Sequence, residues 1–489
     1  MSAAAPLRIA FATAELAPLA HSGGLGDAVT GLAKALGRRG HAVTAYVPGH
    51  RNAFAGWTES GLAPLERAGD VRVPLPGGDL VGGWLRGPLA PGVTVELLDA
   101  PALFDRPALY GWPDDDLRFI AFSRAVAYRC ESARPDVLVA HDWHAALALC
   151  VLRTALDRGA NRAVGTVQVI HSNAYQGRVS PAAMGWTGLS HDLYHPDGLE
   201  AWGTLCLLKG GIGWADRIVA VSPTYAEEIQ SPEFGEGLDG AYRARAHRVL
   251  GIANGIDAER FDPAKDEALP APFDAAHPRG KQIARAAVLE ELGLETPAPG
   301  RFLVAIGRFA EQKGWDVLAA SLDALVERGA CVALLGEGEP GIGLAVLGAA
   351  ARHPGRVAVR IAFDDALARR LYAGADAVLV PSRFEPCGLV QRIAQRYGTL
   401  PVAHRVGGLV DTLLDPGTRE FARGTGVLFS PLDVETLVEA AGRVAALGDD
   451  RRLEAVQKRL LALDVSWDKP AAQWEKVLGT VAREARARL

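Results

Sequence analysis

Cysteine is sparse and dispersed in this chain. Its five residues, Cys130, Cys150, Cys206, Cys331 and Cys387, never fall into a C-x-x-C spacing, which argues against a disulfide framework or a zinc site and fits a cytosolic inventory. Lysine and arginine form no block longer than two or three, and 52 basic against 57 acidic residues leave a net charge of −5. Nothing here calls for a nucleic acid or an anionic membrane, and a neutral polymer would tolerate such a surface. No apolar run reaches the ~18 residues of a membrane span. The opening MSAAAPLRIAFATAEL carries one arginine and a strand-length apolar run in place of a signal peptide, so a cytoplasmic protein is expected.

What is present is an ordinary globular composition. At 489 residues, 49% hydrophobic and 22% charged, the chain suits two domains whose cores need no staples. Residues 7–14 read as a buried strand, 23–39 as a glycine-opened amphipathic helix and 42–47 as a second strand, a βαβ unit of a doubly wound α/β fold. Gly23, Gly24 and Gly26 free backbone amides at the helix start for a phosphate, although glycines there also serve tight packing; the G-x-G-x-x-G fingerprint is not met. Residues 136–140 form a strand that delivers His141-Asp142-Trp143-His144, and 166–170 one that delivers His171 through Gly177. Two histidines on one turn do not make a metal site. Residues 247–257 supply the last strand of this half and include the Asn254-Gly255 turn. Asp114 and Asp116 have the bare D-x-D spacing of a metal-holding pair, but they follow Trp112-Pro113 with no strand to deliver them and read as a solvated loop.

Prolines thicken between 257 and 301, marking a domain boundary. A second strand–helix series starts at residue 301. Arg308 and Lys313 stand just past its first strand, where two fixed cations would meet a diphosphate leaving group. Residues 336–341 satisfy G-x-G-x-x-G after a strand, yet the next strand ends Val359-Arg360-Ile361 with no acid for a ribose, so this is a decoy glycine turn. Residues 377–415 combine a short apolar strand closed by Pro381, a loop carrying Ser382, Arg383, Glu385 and Cys387, and a helical run from Gly388. Glu385 reads either as a helix cap or as a ligand contact.

Together these stretches resemble the bacterial glycogen synthases and plant starch synthases, retaining glycosyltransferases of the GT-B architecture, from Ala10 to Trp474 in the family's order. The resemblance is carried by Glu385-Pro386-Cys387-Gly388-Leu389, by Gly307 through Gly314 (R-x-x-x-Q-K-G), by H-D-W-H at 141–144, by I-H-N-x-A-Y-Q-G at 170–177 with Ser172 departing, by 208–225 and by G-G-L-x-D-T at 407–412. It implies that Glu385 addresses the sugar nucleotide, that Cys387, Gly388 and the amides of Leu389 and Val390 hold its phosphates, and that Arg308 and Lys313 steady the departing diphosphate. It places His171 against the transferred glucose, Glu15, Asp142 and His144 on the sugar or acceptor side, Asn254 at the donor sugar and Phe363 under the base. His21, Gly23 and Gly24 correspond to the K-x-G-G-L donor loop, with Asp27 following it. His21 replaces the family's lysine, exchanging a permanent charge for a partial one near neutral pH.

The expected fold is therefore two Rossmann-like domains facing a deep cleft: 1–255 joined by the terminal helix 466–489, a proline-rich segment 256–298, and 299–465. The expected activity is transfer of glucose from ADP-glucose to the non-reducing end of an α-1,4-glucan with retention and release of ADP, without metal or cofactor. The partners are then a sugar nucleotide and an α-glucan. The rival readings are a GT-B transferase with another donor or acceptor, and a non-catalytic glucan-binding protein. A dehydrogenase, from the 336–341 glycines, ranks last.

Overall fold

Short β-branched runs alternate with helical segments along most of the chain, and the computed structural model, which describes residues 5–154, 163–417, 423–449 and 451–488, folds them in that alternation. Two compact units result, Met1–Gly255 with Trp467–Leu489, and Ile256–Ser466.

The first unit contains β1 (Arg8–Ala12), β2 (Ala42–Pro48), β3 (Glu66–Val73), β4 (Leu80–Ala90), β5 (Val93–Asp99), β6 (Val137–His141), β7 (Gly165–Ile170), β8 (Arg178–Val179), β9 (Glu200–Ala201), β10 (Thr204–Cys206), β11 (Arg217–Ala220) and β12 (Val249–Gly251). Nine form one sheet in the order β12-β11-β7-β6-β1-β2-β5-β4-β3. It is parallel from β12 to β5, and antiparallel where β4 and β3 close the edge. β6 and β7 are buried along their whole length, as parallel strands covered on both faces must be. A separate three-stranded sheet has the order β8-β10-β9. The helix Asp468–Arg486 buries Ala471, Trp474, Leu478, Val481, Ala482 and Ala485 within this unit. Gly165 makes room for it, since a Cβ there would come within 2.4 Å of Val481. Ion pairs Arg39–Glu475, Arg217–Glu484 and Arg486–Asp136 flank the seam.

The second unit holds β13 (Phe302–Ile306), β14 (Cys331–Gly336), β15 (Val357–Ile361), β16 (Ala377–Val380), β17 (Leu400–His404) and β18 (Val427–Phe429). All are parallel, in the order β15-β14-β13-β16-β17-β18, which is the 3-2-1-4-5-6 order of a Rossmann sheet. Its core joins Leu303, Phe309, Trp315, Leu318 and Leu334 with Val402. The proline-rich residues 256–298 lie in this unit. Their helix Arg279–Leu292 sends buried Lys281 to the carbonyls of Ala373 and Tyr397, at 2.9 and 3.1 Å, and to the Thr399 hydroxyl at 2.8 Å. Among the described residues no helix is long and apolar enough to cross a membrane.

The 114–116 segment departs from its reading as a solvated loop. Asp115 and Asp116 open the helix Asp115–Ala133. Asp115 accepts from the amides of Gly111 and Trp112 and pairs with Arg118, and Asp114 pairs with Arg106 at 3.0 Å. Acids in a first helical turn satisfy free amides and the helix dipole, so these carboxylates are already engaged.

Candidate functional site

An open α/β sheet presents its ligand-binding loops at the carboxyl ends of the strands where chain order reverses. In the second unit that point lies between β13 and β16. The loop after β13 carries Lys313 and the loop after β16 carries Glu385. Lys313 Nζ donates to Glu385 Oε2 at 2.6 Å, and the Ser382 hydroxyl donates to the same oxygen at 2.9 Å. Glu385 is buried, and its Oε1 has no protein donor among the described residues, so that oxygen is open to a ligand hydroxyl. These side chains line a hollow floored by Ala305, Gly307, Trp315 and Pro381.

The two loops are stitched together around this pair. Arg383 reaches both carboxylate oxygens of Asp316, at 2.8 and 2.6 Å, and holds that carboxyl below the usual range. The Arg383 amide donates to Gln312 O at 2.8 Å, while the Gln312 side chain donates to Phe384 O at 3.0 Å. Gly314, at φ 66°, lies so close to Pro381 that a Cβ would sit 1.9 Å from its carbonyl oxygen, so only glycine lets the loops approach. From behind, the Gly408 amide donates to Glu385 O at 2.9 Å, and His404 Nδ1–H donates to Ser382 O at 2.8 Å. The Gln391 amide group faces the carbonyls of Cys387 and Gly388.

In the first unit, order reverses between β1 and β6. Glu15, just past β1, accepts from the Ser22 amide, the Ser22 hydroxyl and the Tyr110 hydroxyl, each at 2.8 Å. Asp142, just past β6 and in the left-handed region at φ 54°, accepts from the amides of His171 and Ser172 at 2.7 and 3.2 Å. Burial pushes Asp142 up to about 7 against the pull of those two donors. His141 Nδ1 and His171 Nε2 lie 2.9 Å apart and share one proton between them. Burial holds both rings neutral, His171 down to about 3 and His141 well below its ordinary value. His144 is buried too, tilted against Tyr110 and Trp143 and edge-on to Phe119, with ring centroids 4.8, 4.1 and 4.7 Å away.

The structure thus brings Lys313 to Glu385, and Asp142 to His171. Arg308 is exposed beyond β13, and Trp315 Nε1 donates to its carbonyl at 2.8 Å. His21, Gly23 and Gly24 are exposed at the start of the helix Gly24–Arg38, with Asp27 in its first turn. Asn254 is buried after β12. Cys387 is buried against Gly408, whose added Cβ would meet the Cys387 backbone at 2.4 Å. Leu389 and Val390 start the helix Val390–Arg396. Phe363 is 76% exposed two residues beyond β15, which excludes a core role. Ser22, Tyr110, Gln312 and Asp316 hold the site residues in place; Gln312 falls within the R-x-x-x-Q-K-G stretch, whereas no local pattern in the sequence marks the other three.

Comparison with known proteins gives the family. Residues 8–244 match the family described as "Starch synthase catalytic domain", and residues 300–446 match "Glycosyl transferases group 1". A glycogen synthase of Methylocella silvestris is 40% identical over 96% of this chain and 98% of its own length, and one of Thermus thermophilus is 41% identical over 96% and 99%. The catalytic domain of starch synthase IV from Arabidopsis thaliana, solved with ADP and acarbose, superposes with a TM-score of 0.89 at 29% identity over 98% of this chain and all of that one. With relatives this close along nearly its whole length, and with two Rossmann-like units of the kind that starch synthase shares, the chain belongs to the glycogen/starch synthase family of GT-B glycosyltransferases.

Proposed function

We propose that the protein is a glycogen synthase that transfers glucose from ADP-glucose to the non-reducing 4-OH of an α-1,4-glucan, with retention, and releases ADP. One observation carries this reading. The Lys313–Glu385 pair stands at the switch point of a Rossmann sheet, with a fixed cation for a diphosphate and a carboxylate oxygen left open for a sugar hydroxyl. The relatives named glycogen synthase and the ADP bound to the plant starch synthase support the same donor.

In this reading the bond from the anomeric carbon to the diphosphate oxygen breaks and the acceptor's 4-oxygen bonds to that carbon on the same face. The hydroxyl proton leaves with the diphosphate. Asp142 is held by two backbone amides, and the open oxygen of Glu385 is taken in this reading by a sugar hydroxyl, so neither carboxylate is assigned as nucleophile and the acceptor itself attacks from the front face. Arg308, Lys313 and the amides of Leu389 and Val390 stabilise the departing charge. Glu385 and His171 orient the sugar, with Glu15, Asp142, His144, Asn254 and Phe363 around donor and acceptor.

The test is nucleoside diphosphate release on mixing the protein with glycogen and either ADP-glucose or UDP-glucose, repeated with His21→Lys. ADP release by the natural chain is expected, with a several-fold lower KM for ADP-glucose in the lysine variant. Release from UDP-glucose alone would keep the chemistry and replace the donor, an alternative that rests on His21 standing where the family has lysine. Silence from both donors in both proteins would sink the synthase reading.

A further inference from the structure

Three aromatic side chains are exposed among the described residues, Tyr175, Trp202 and Phe363, and two of them belong to one small region of the first unit. Trp202 occupies the two-residue turn of the β9–β10 hairpin. Its φ is 55° and that of Gly203 is 77°. Positive φ at both central residues is the backbone of a type I′ hairpin turn, which Asn-Gly fills best. A bulky aromatic in the left-handed region is a genuine outlier, and here it is also 75% exposed. Neither turn chemistry nor burial accounts for tryptophan at this position, and strain of this kind points to function.

The ring is nevertheless held in place. Trp202 Nε1 donates to Gly237 O at 3.0 Å, and Gly237, at φ 76°, leaves space there that a Cβ would take, 2.7 Å from that nitrogen. The segment bearing Tyr175, which is 58% exposed, is fixed to the same stretch. Asn173 Nδ2 donates to Gly235 O at 2.8 Å, and Gln176 Nε2 and Arg178 donate to Glu236 O at 3.1 and 2.8 Å. Both aromatics are therefore anchored on residues 235–237. The segment also runs directly from His171 into β8, the strand that pairs with β10.

We infer that Tyr175 and Trp202 form a landing surface for an α-1,4-glucan chain, in addition to the residues assigned to transfer. A pyranose ring offers an apolar C–H face to an aromatic plane and a rim of hydroxyls to polar neighbours. The exposed charges nearby, Arg178 and Glu236, are of opposite sign, so the patch selects neither an anion nor a cation and suits a neutral, hydroxyl-rich polymer. The inference rests on the reading of the acceptor as an α-glucan and adds a second point of attachment, which raises the effective concentration of chain ends.

Trp202→Asn gives the test its edge, because asparagine is the residue this turn prefers. Retention of the full-length protein on native gels containing glycogen should weaken about tenfold, equal to about 1.4 kcal/mol, while the unfolding temperature stays the same or rises. In the natural protein maltoheptaose should also shield an indole from iodide quenching, and the Asn variant should lack that shielded component. Unchanged retention, or weaker retention together with a lower unfolding temperature, overturns the landing surface. If no donor supports transfer while retention still depends on Trp202, the surface stands and the synthase reading alone falls. If transfer proceeds and retention ignores Trp202, the surface alone falls.

Discussion

Glu385 commits one oxygen to Lys313 and Ser382 and leaves the other for a ligand. The lysine orders the carboxylate, and in the proposed reaction it also meets the diphosphate. Lys313→Ala should lower turnover by about a hundredfold, the scale of one lost electrostatic donor, and Arg308→Ala should do likewise, both read as ADP release. A rate within about threefold of the natural protein would remove that residue from the leaving-group role. Lys313, Glu385, Asp142 and His171 are legible in the sequence as strand-end residues, with roles that only the family resemblance supplies. Tyr110 is not. It holds Glu15 from 95 positions away, out of a loop region with no period to mark it. Phe363 shows the opposite limit: from pattern alone it reads as core, and its exposure is a property of the fold.

The loops after β13 and β16 behave as one element, joined by Arg383 and Asp316. The clasp is solvent-facing, and a surface ion pair alone is worth little, but this one is bidentate and sits beside backbone bonds through Gln312. Its expected effect is on geometry more than on stability. Arg383→Ala and Asp316→Ala should each reduce kcat about tenfold with little change in unfolding temperature, and the double variant should be no worse than either single one. Additive losses would show that the two residues act apart. The sequence brings the 381–388 loop into view through its strand–loop–helix order, but a partner 67 residues upstream leaves no local trace. β4 escapes a reading by pattern for a different reason: its 11 residues include three glycines and a proline, which depress strand propensity, and its pairing with β3 and β5 decides the outcome. Helix and strand periods make the rest of the alternation readable, whereas the short β8–β10 sheet carries too few residues for any period to register.

For the molecule as a whole, the most consequential feature of the first unit is a set of histidines buried without charge. Burial takes His50 and His171 down to about 3 and His141 and His144 well below their ordinary value. In the unfolded chain each titrates near 6.5. Below that pH the unfolded state therefore binds more protons than the folded state, and stability, complete above about 6.5, is lost progressively as pH falls toward 3. Asp142 acts in the opposite sense. Its carboxyl, raised to about 7, stays protonated in the fold while an unfolded aspartate ionises above about 3.9, so it adds stability as pH falls from 7 to 4. One acid opposes four bases, and at up to about 1.4 kcal/mol per pH unit for each proton the balance is a net loss on acidification. The unfolding free energy from urea titration should fall between pH 7 and 5. His50→Phe should flatten that slope by about one proton, since a phenyl ring fits the edge-on packing against Phe104, at 5.7 Å and 90°, and has nothing to protonate. A pH-independent unfolding free energy, or the same slope in the phenylalanine variant, would mean that these imidazoles reach water, and so protons, in the folded protein.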